Sequence, residues 1–108
     1  MKEGATVKYL LSWKPKVGGS SAESEEAAKR SLAVFSKWSP PEGLTFHQFL
    51  ARLDTGGGYA VVETDDAKLL ADGPAKFAPW FDFEIVPVVD IMEIVPVAQD
   101  AIAFWESV

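Results

Sequence analysis

Apolar and polar residues alternate from 7 to 14, with Val7, Tyr9, Leu11 and Trp13 on one side and Lys8, Leu10, Ser12 and Lys14 on the other. A period of two marks a strand, and Pro15 followed by Gly18-Gly19 closes it. Over 22–38 the period changes. Ala28, Leu32, Phe35 and Trp38 recur at helical spacing, predicting a helix whose stripe lies on a sheet. Ser20 and Glu23 have capping-box spacing, and Ser21 offers a second cap. Glu25 with Lys29 and Glu26 with Arg30 are i,i+4 pairs, so this charge run reads as a solvated helix face. Ser39-Pro40-Pro41-Glu42-Gly43 stops the helix.

Residues 44–53 and 59–64 read as two strands joined by a turn rich in glycine, a β-hairpin in which alternation groups Thr45, His47 and Phe49 on one face. Gly56-Gly57-Gly58 is not a phosphate loop, because no Lys-Ser/Thr follows and a strand comes next. Thr64-Asp65-Asp66 caps a short helix over 67–72, Gly73-Pro74 ends it, and 75–79 adds another helical turn. The most apolar, β-prone stretch is 80–90. Phe81, Phe83, Ile85 and Val89 share one face, Asp82 and Glu84 open the other, and Pro87 pushes the strand to an edge or a bulge. Asp90 and Glu93 repeat the capping spacing, while Pro96 predicts a short turn, a kink and a helix over 96–107. Glu-Ile-Val-Pro-Val occurs at 84–88 and again at 93–97, but two copies do not make a solenoid.

Strand, helix, strand, strand, helix, strand, helix is the split-βαβ order of a ferredoxin-like α+β domain with an extra C-terminal helix. One such domain would fill 7–108, with 1–6 as a flexible N-terminal extension. The helices cover one face of the four-stranded antiparallel sheet. Both faces of the first two strands carry large apolar residues, so periodicity leaves open which face that is. An apolar edge strand and a second apolar face need cover, and another copy of the chain is the economical one. Two sheets packed face to face, a dimeric α/β barrel, would enclose a cavity.

Charge and composition remove whole classes of function. With a net charge of -6 and ten Lys plus Arg, the chain lacks the clustered basic footprint that nucleic acid requires. Without cysteine there is no thiolate nucleophile, thiolate zinc site or iron–sulfur cluster. No apolar run is long enough to span a bilayer, and the first residues lack a signal-peptide core, so a cytoplasmic location is expected.

His47, the single histidine, is the natural general acid or base, against the plainer alternative of a packed strand histidine. Glu63 shares a face with Tyr59 and Val61; lining a cavity, its carboxyl would be pushed upward, while Arg52 across the hairpin offers it an ion pair. Asp82 and Glu84 on an edge strand fit solvent-facing charges. Tyr9, Trp13, Phe49, Tyr59 and Trp80 are candidate walls for a planar ligand, whereas Trp38 and Trp105 sit on helices and belong to core or interface.

Lys8-Tyr9-Leu10-Leu11-Ser12-Trp13, the run Phe35-Ser36-Lys37-Trp38-Ser39-Pro40-Pro41-Glu42-Gly43, Gly57-Gly58-Tyr59-Ala60-Val61-Val62-Glu63-Thr64-Asp65, and Asp82-Phe83-Glu84 through Pro87-Val88-Val89-Asp90 together resemble a family of small uncharacterised bacterial proteins. That family belongs with the dimeric α/β-barrel, ferredoxin-like group. The resemblance covers nearly the whole chain from Val7 and implies fold and homodimer, but no established reaction. The wider group includes cofactor-independent monooxygenases, polyketide cyclases, isomerases and haem-degrading enzymes, and fold alone does not choose among them. The expectation is a homodimer binding a small apolar or aromatic molecule between its sheets, with no metal or cofactor. The alternative is a cofactor-independent enzyme in which His47 or Glu63 moves a proton.

Overall fold

The opening alternation becomes strand β1 (Val7–Pro15), which lies inside a four-stranded antiparallel sheet between β4 (Phe81–Val88) and β3 (Gly58–Thr64), with β2 (Thr45–Ala51) on the far edge. The computed structural model describes residues 5–108, so most of the extension expected over 1–6 lies outside the described residues. Helix α1 (Ser21–Lys37) crosses from β1 to β2; a 3-10 turn (Ala67–Ala71) and α2 (Asp72–Phe77) cross from β3 to β4; α3 (Ile91–Glu106) follows. This is the ferredoxin-like split-βαβ fold with a C-terminal helix. Pro87 sits on an edge strand, where its missing N–H costs no ladder bond.

The register settles which face the helices cover. Leu11 lies opposite Ala60 on one side and Ile85 on the other, and Trp13 opposite Gly58 and Phe83. Ala60 and Val62, both 1% exposed, form the centre of that face with Leu70 packed on them. Lys8, Leu10, Ser12, Val61, Glu63, Glu84 and Val86 therefore share the opposite, open face.

Ser20 is the N-cap of α1: its Oγ accepts from the Glu23 N–H at 3.1 Å and Glu23 Oε1 accepts from the Ser20 N–H at 2.8 Å. Leu32, Phe35 and Trp38 of the expected stripe do look onto the sheet, with the Phe35 and Phe49 ring centroids 6.1 Å apart, but they are not its most buried positions. Ser31 is buried and Ala27, Val34 and Trp38 are half-buried, while Ala28, Leu32 and Phe35 are exposed. A serine at the centre of the inward face disguised that centre; its Oγ is satisfied by the Ala28 carbonyl at 3.1 Å.

The β2–β3 ladder carries a second correction. Phe46 pairs with Val62 but Gln48 pairs with Val61, a register shift that makes His47 the extra residue of a β-bulge. The bulge breaks the expected grouping of Thr45, His47 and Phe49. Phe46 and Phe49 both face the helices, and His47 is turned to the open side, beside Glu63.

At the C-terminus, α3 runs unbroken through Pro96, where a kink was expected. The missing N–H frees the Met92 carbonyl, and because Met92 is exposed, water can take that bond. Only Ala101 of α3 is even half-buried. The chain has a radius of gyration of 18.5 Å and a long axis of 62 Å, against about 13 Å for a compact domain of this length. Along the strand direction, β1 is roughly 30 Å and α3 roughly 24 Å long, so the helix projects beyond the sheet rather than folding onto it.

Candidate functional site

A cavity of about 440 Å³ lies between the helix-covered face of the sheet and the helices α1 and α2. Its floor is Leu11, Trp13, Phe49, Ala60 and Phe83, and its walls are Leu32, Phe35, Trp38 and Phe77. The only polar side chain in the lining is Ser31, and none is titratable. Aromatic contacts tie the lining together: Trp13–Phe49 edge-on at 5.4 Å, Phe46–Phe49 at 5.3 Å and Trp38–Phe77 edge-on at 5.7 Å. Phe35 and Phe49, each 48% exposed, and Leu32, 67% exposed, leave the α1–β2 side open to solvent.

Two local features hold the cavity's shape. Trp13 lies across the end of β3 because Gly57 and Gly58 carry no side chain. A Cβ on Gly58 would sit 2.6 Å from the Trp13 ring and 2.2 Å from the Leu50 carbonyl oxygen. Trp38, the C-cap of α1, donates its indole N–H to Asp72 Oδ2 at 2.8 Å, and Asp72 pairs with Lys76 at 2.8 Å. The Lys76 ammonium, and then the Trp38 indole, hold the Asp72 carboxyl below its ordinary range. The anchor is therefore a charge-assisted bond.

On the open face the bulge brings His47 Nε2 to 2.7 Å from Glu63 Oε1, and Thr6 Oγ1 donates to the other Glu63 oxygen. The expected upward push on Glu63 is reversed. The Thr6 hydroxyl and then His47 stabilise its charged form and lower its pKa. Nor does Arg52 pair with Glu63; its guanidinium turns back to Asp54 within the hairpin loop, at 3.0 Å from Nε to Oδ1. An i,i+2 partner in its own loop is reached with less ordering than one across the sheet.

The remaining candidates divide between the faces. Trp13 and Phe49 line the cavity. Tyr9 faces the helices too, but packs on the Ala60–Val62–Leu70 core beyond the cavity's end. Trp80 stands behind the lining, its ring edge-on to Phe77 at 6.5 Å. Tyr59 lies on the open face, in a polar groove of about 530 Å³ with Arg52, Asp82 and Glu84. Asp82 is engaged by Lys16 at 2.8 Å. The structure thus separates the aromatic pocket from the only histidine by the thickness of the sheet. Phe35, expected only as part of the α1 stripe, and Phe46 and Phe77, which did not stand out in sequence, complete the pocket. Among the described residues no three His, Cys, Asp or Glu converge as a metal site, and no helix is long and apolar enough to cross a membrane.

A four-stranded antiparallel sheet in 2-3-1-4 order, with helices on one face over an apolar pocket, defines a ferredoxin-like α+β protein. The chain belongs to the family described as Domain of unknown function (DUF3303), whose model matches residues 7–102. No curated protein matches it. Similar solved structures include SnoaB, a cofactor-independent oxygenase from Streptomyces nogalater, at 22% identity and TM-score 0.41 over 80% of this chain and 93% of that one. Another is Rv0793 from Mycobacterium tuberculosis, at 11% identity and TM-score 0.44 over 80% and 97% of the two chains. A third is the Arabidopsis thaliana protein At3g17210, at 18% identity and TM-score 0.36 over 83% and 93%. Likeness at this level transfers no chemistry.

Proposed function

We infer that the protein is a cytoplasmic homodimer that binds a small apolar or aromatic molecule in the cavity between sheet and helices of each protomer. One observation carries this reading: a 440 Å³ cavity, in the size range of small-molecule sites, lined by aromatic rings and by no titratable group. A pocket without an acid, a base or a nucleophile is suited to holding a molecule rather than transforming it. This reading puts the ligand on the helix-covered side of the sheet, where the sequence led to an expectation of the space between two sheets.

Gly73 provides a clean test. Gly73 lines the cavity, and a Cβ there meets only the Trp38 ring, at 3.7 Å, so Gly73→Leu starts a side chain into the cavity from an open position. Titration with an anthraquinone or naphthoic acid, followed by tryptophan quenching, should saturate in the wild type. In Gly73→Leu at unchanged thermal stability, affinity should fall by about tenfold or more, about 1.4 kcal/mol. Equal affinity in both proteins would place the ligand elsewhere.

The second reading, a cofactor-independent enzyme, is favoured by the His47–Glu63 pair at 2.7 Å. If two open faces meet in the dimer, that pair lines the space between them and can transfer a proton there. His47→Ala and Glu63→Gln would then abolish turnover of a bound substrate while leaving binding in the aromatic pocket intact.

A further inference from the structure

We propose that α3 crosses to a second copy of the chain and roofs that copy's aromatic cavity, so that neither site is complete in one protomer. The inference rests on the homodimer reading above and adds which element exchanges and where it lands. The chain exposes 8180 Å², whereas a compact monomer of this mass exposes about 5,900 Å². Much of the excess is α3. Ile91, Met92, Phe104 and Trp105 are each 65 to 75% exposed, and its apolar residues together leave on the order of 1,000 Å² uncovered, where a stable interface needs about 800 Å² from each partner.

Its own chain does not cover it. α3 departs from Asp90, which is held by Lys8 at the start of β1, while the cavity sits on Trp13, Phe81 and Phe83 at the other end of the sheet. Ile91, Ile94, Ala98, Ala101 and Trp105 fall at alternating spacings of three and four, a single seam that lies along a groove. Of the surfaces a second copy offers, the open sheet face mixes Leu10, Val61 and Val86 with Lys8, Glu63 and Glu84, and burying that mixture under an apolar helix would strand charges. The mouth between α1 and β2 presents Leu32, Phe35 and Phe49 over a lining whose only polar side chain is Ser31. Along α1 it spans Ser31 to Trp38, roughly 10 Å, which about two turns of α3 would cover. A two-fold axis makes the exchange reciprocal, so both helices and both mouths are covered at once.

Cysteine cross-linking tests this without background, because the chain has no cysteine. Leu32→Cys is combined in turn with Ala98→Cys, Ile102→Cys or Trp105→Cys in the full chain, and each protein is mildly oxidised at low micromolar concentration. At least one pair is expected to give a disulfide-linked species of twice the chain mass in reciprocal, near-complete yield, with the single-cysteine variants staying uncrosslinked. A disulfide within one chain would show α3 folding back on its own cavity and overturn the proposal. So would cross-linking of α3 single variants to themselves, or of Leu10→Cys with Ile102→Cys in place of the Leu32 pairs. Sedimentation of the wild type separates the two levels: a dimer without any Leu32 cross-link overturns the exchange alone, and a monomer overturns the homodimer as well.

Discussion

Single residues set the shape of the pocket through what they lack as much as through what they carry. Gly58 is buried in a strand, where glycine is otherwise a weak choice, and it is there because Trp13 and the Leu50 carbonyl occupy the space a Cβ would need. Gly58→Ala forces one of them to move; the expected cost is about 1–3 kcal/mol, read by chemical denaturation, with an altered near-ultraviolet circular dichroism from the displaced indole. On the open face the relevant variable is charge. Glu63 titrates below its ordinary value of 4.5 because the Thr6 hydroxyl and His47 favour the carboxylate. A depressed folded-state pKa adds stability that is present above the unfolded value and is lost as pH falls through the folded one. Wild type should therefore lose more stability than Glu63→Gln between about pH 5 and pH 3. Parallel acid-unfolding curves for the two proteins would show that the contact contributes nothing.

At the level of elements, the regular parts were legible and the departures from regularity were not. β1, the hairpin, the edge position of β4 and the Ser20–Glu23 box all follow from period, turn residues and capping spacing, since these signals are local. Phe49 was grouped with Thr45 and His47 because a bulge is one inserted residue, invisible to alternation until the partner strand is known. The inward face of α1 was read only in part: Leu32, Phe35 and Trp38 do look onto the sheet, but Ser31 between them satisfies its hydroxyl inside its own helix and can be buried like an alanine, which hydrophobicity alone does not register. The aromatic pocket is assembled from Trp13, Phe35, Phe49 and Phe77 on different elements, so its existence depends on tertiary register. Pro96 was expected to break α3 and does not, since its turn is open to water in the protomer. Replacing it tests that account. Pro96→Ala should raise helical circular dichroism and thermal stability, with an upper bound of about 3 kcal/mol; a loss of stability would mean that the proline ring makes a contact worth more than the restored N–H.

For the whole molecule, surface area and shape decide what the protomer is. Among the described residues the buried apolar core is only Ala60, Val62, Leu70 and Phe77, and the large exposed side chains on α3 and at the pocket mouth outnumber them. Hydrophobic stabilisation scales with area removed from water, so in the homodimer proposed above the exposed apolar surface of α3 would add to the little the protomer buries alone. Folding and dimerisation should then be a single transition, and stability inseparable from protomer concentration. The midpoint of thermal unfolding is expected to rise with each tenfold increase in concentration and to change little with added salt, because an apolar interface is not screened as ion pairs are. Ile94→Glu with Ile102→Glu on α3 should abolish that concentration dependence and lower the midpoint, by placing charges on the surface that must be buried. A midpoint independent of concentration across a hundredfold range would require the lone protomer to be stable with its apolar helix in water, which the balance of buried and exposed area argues against.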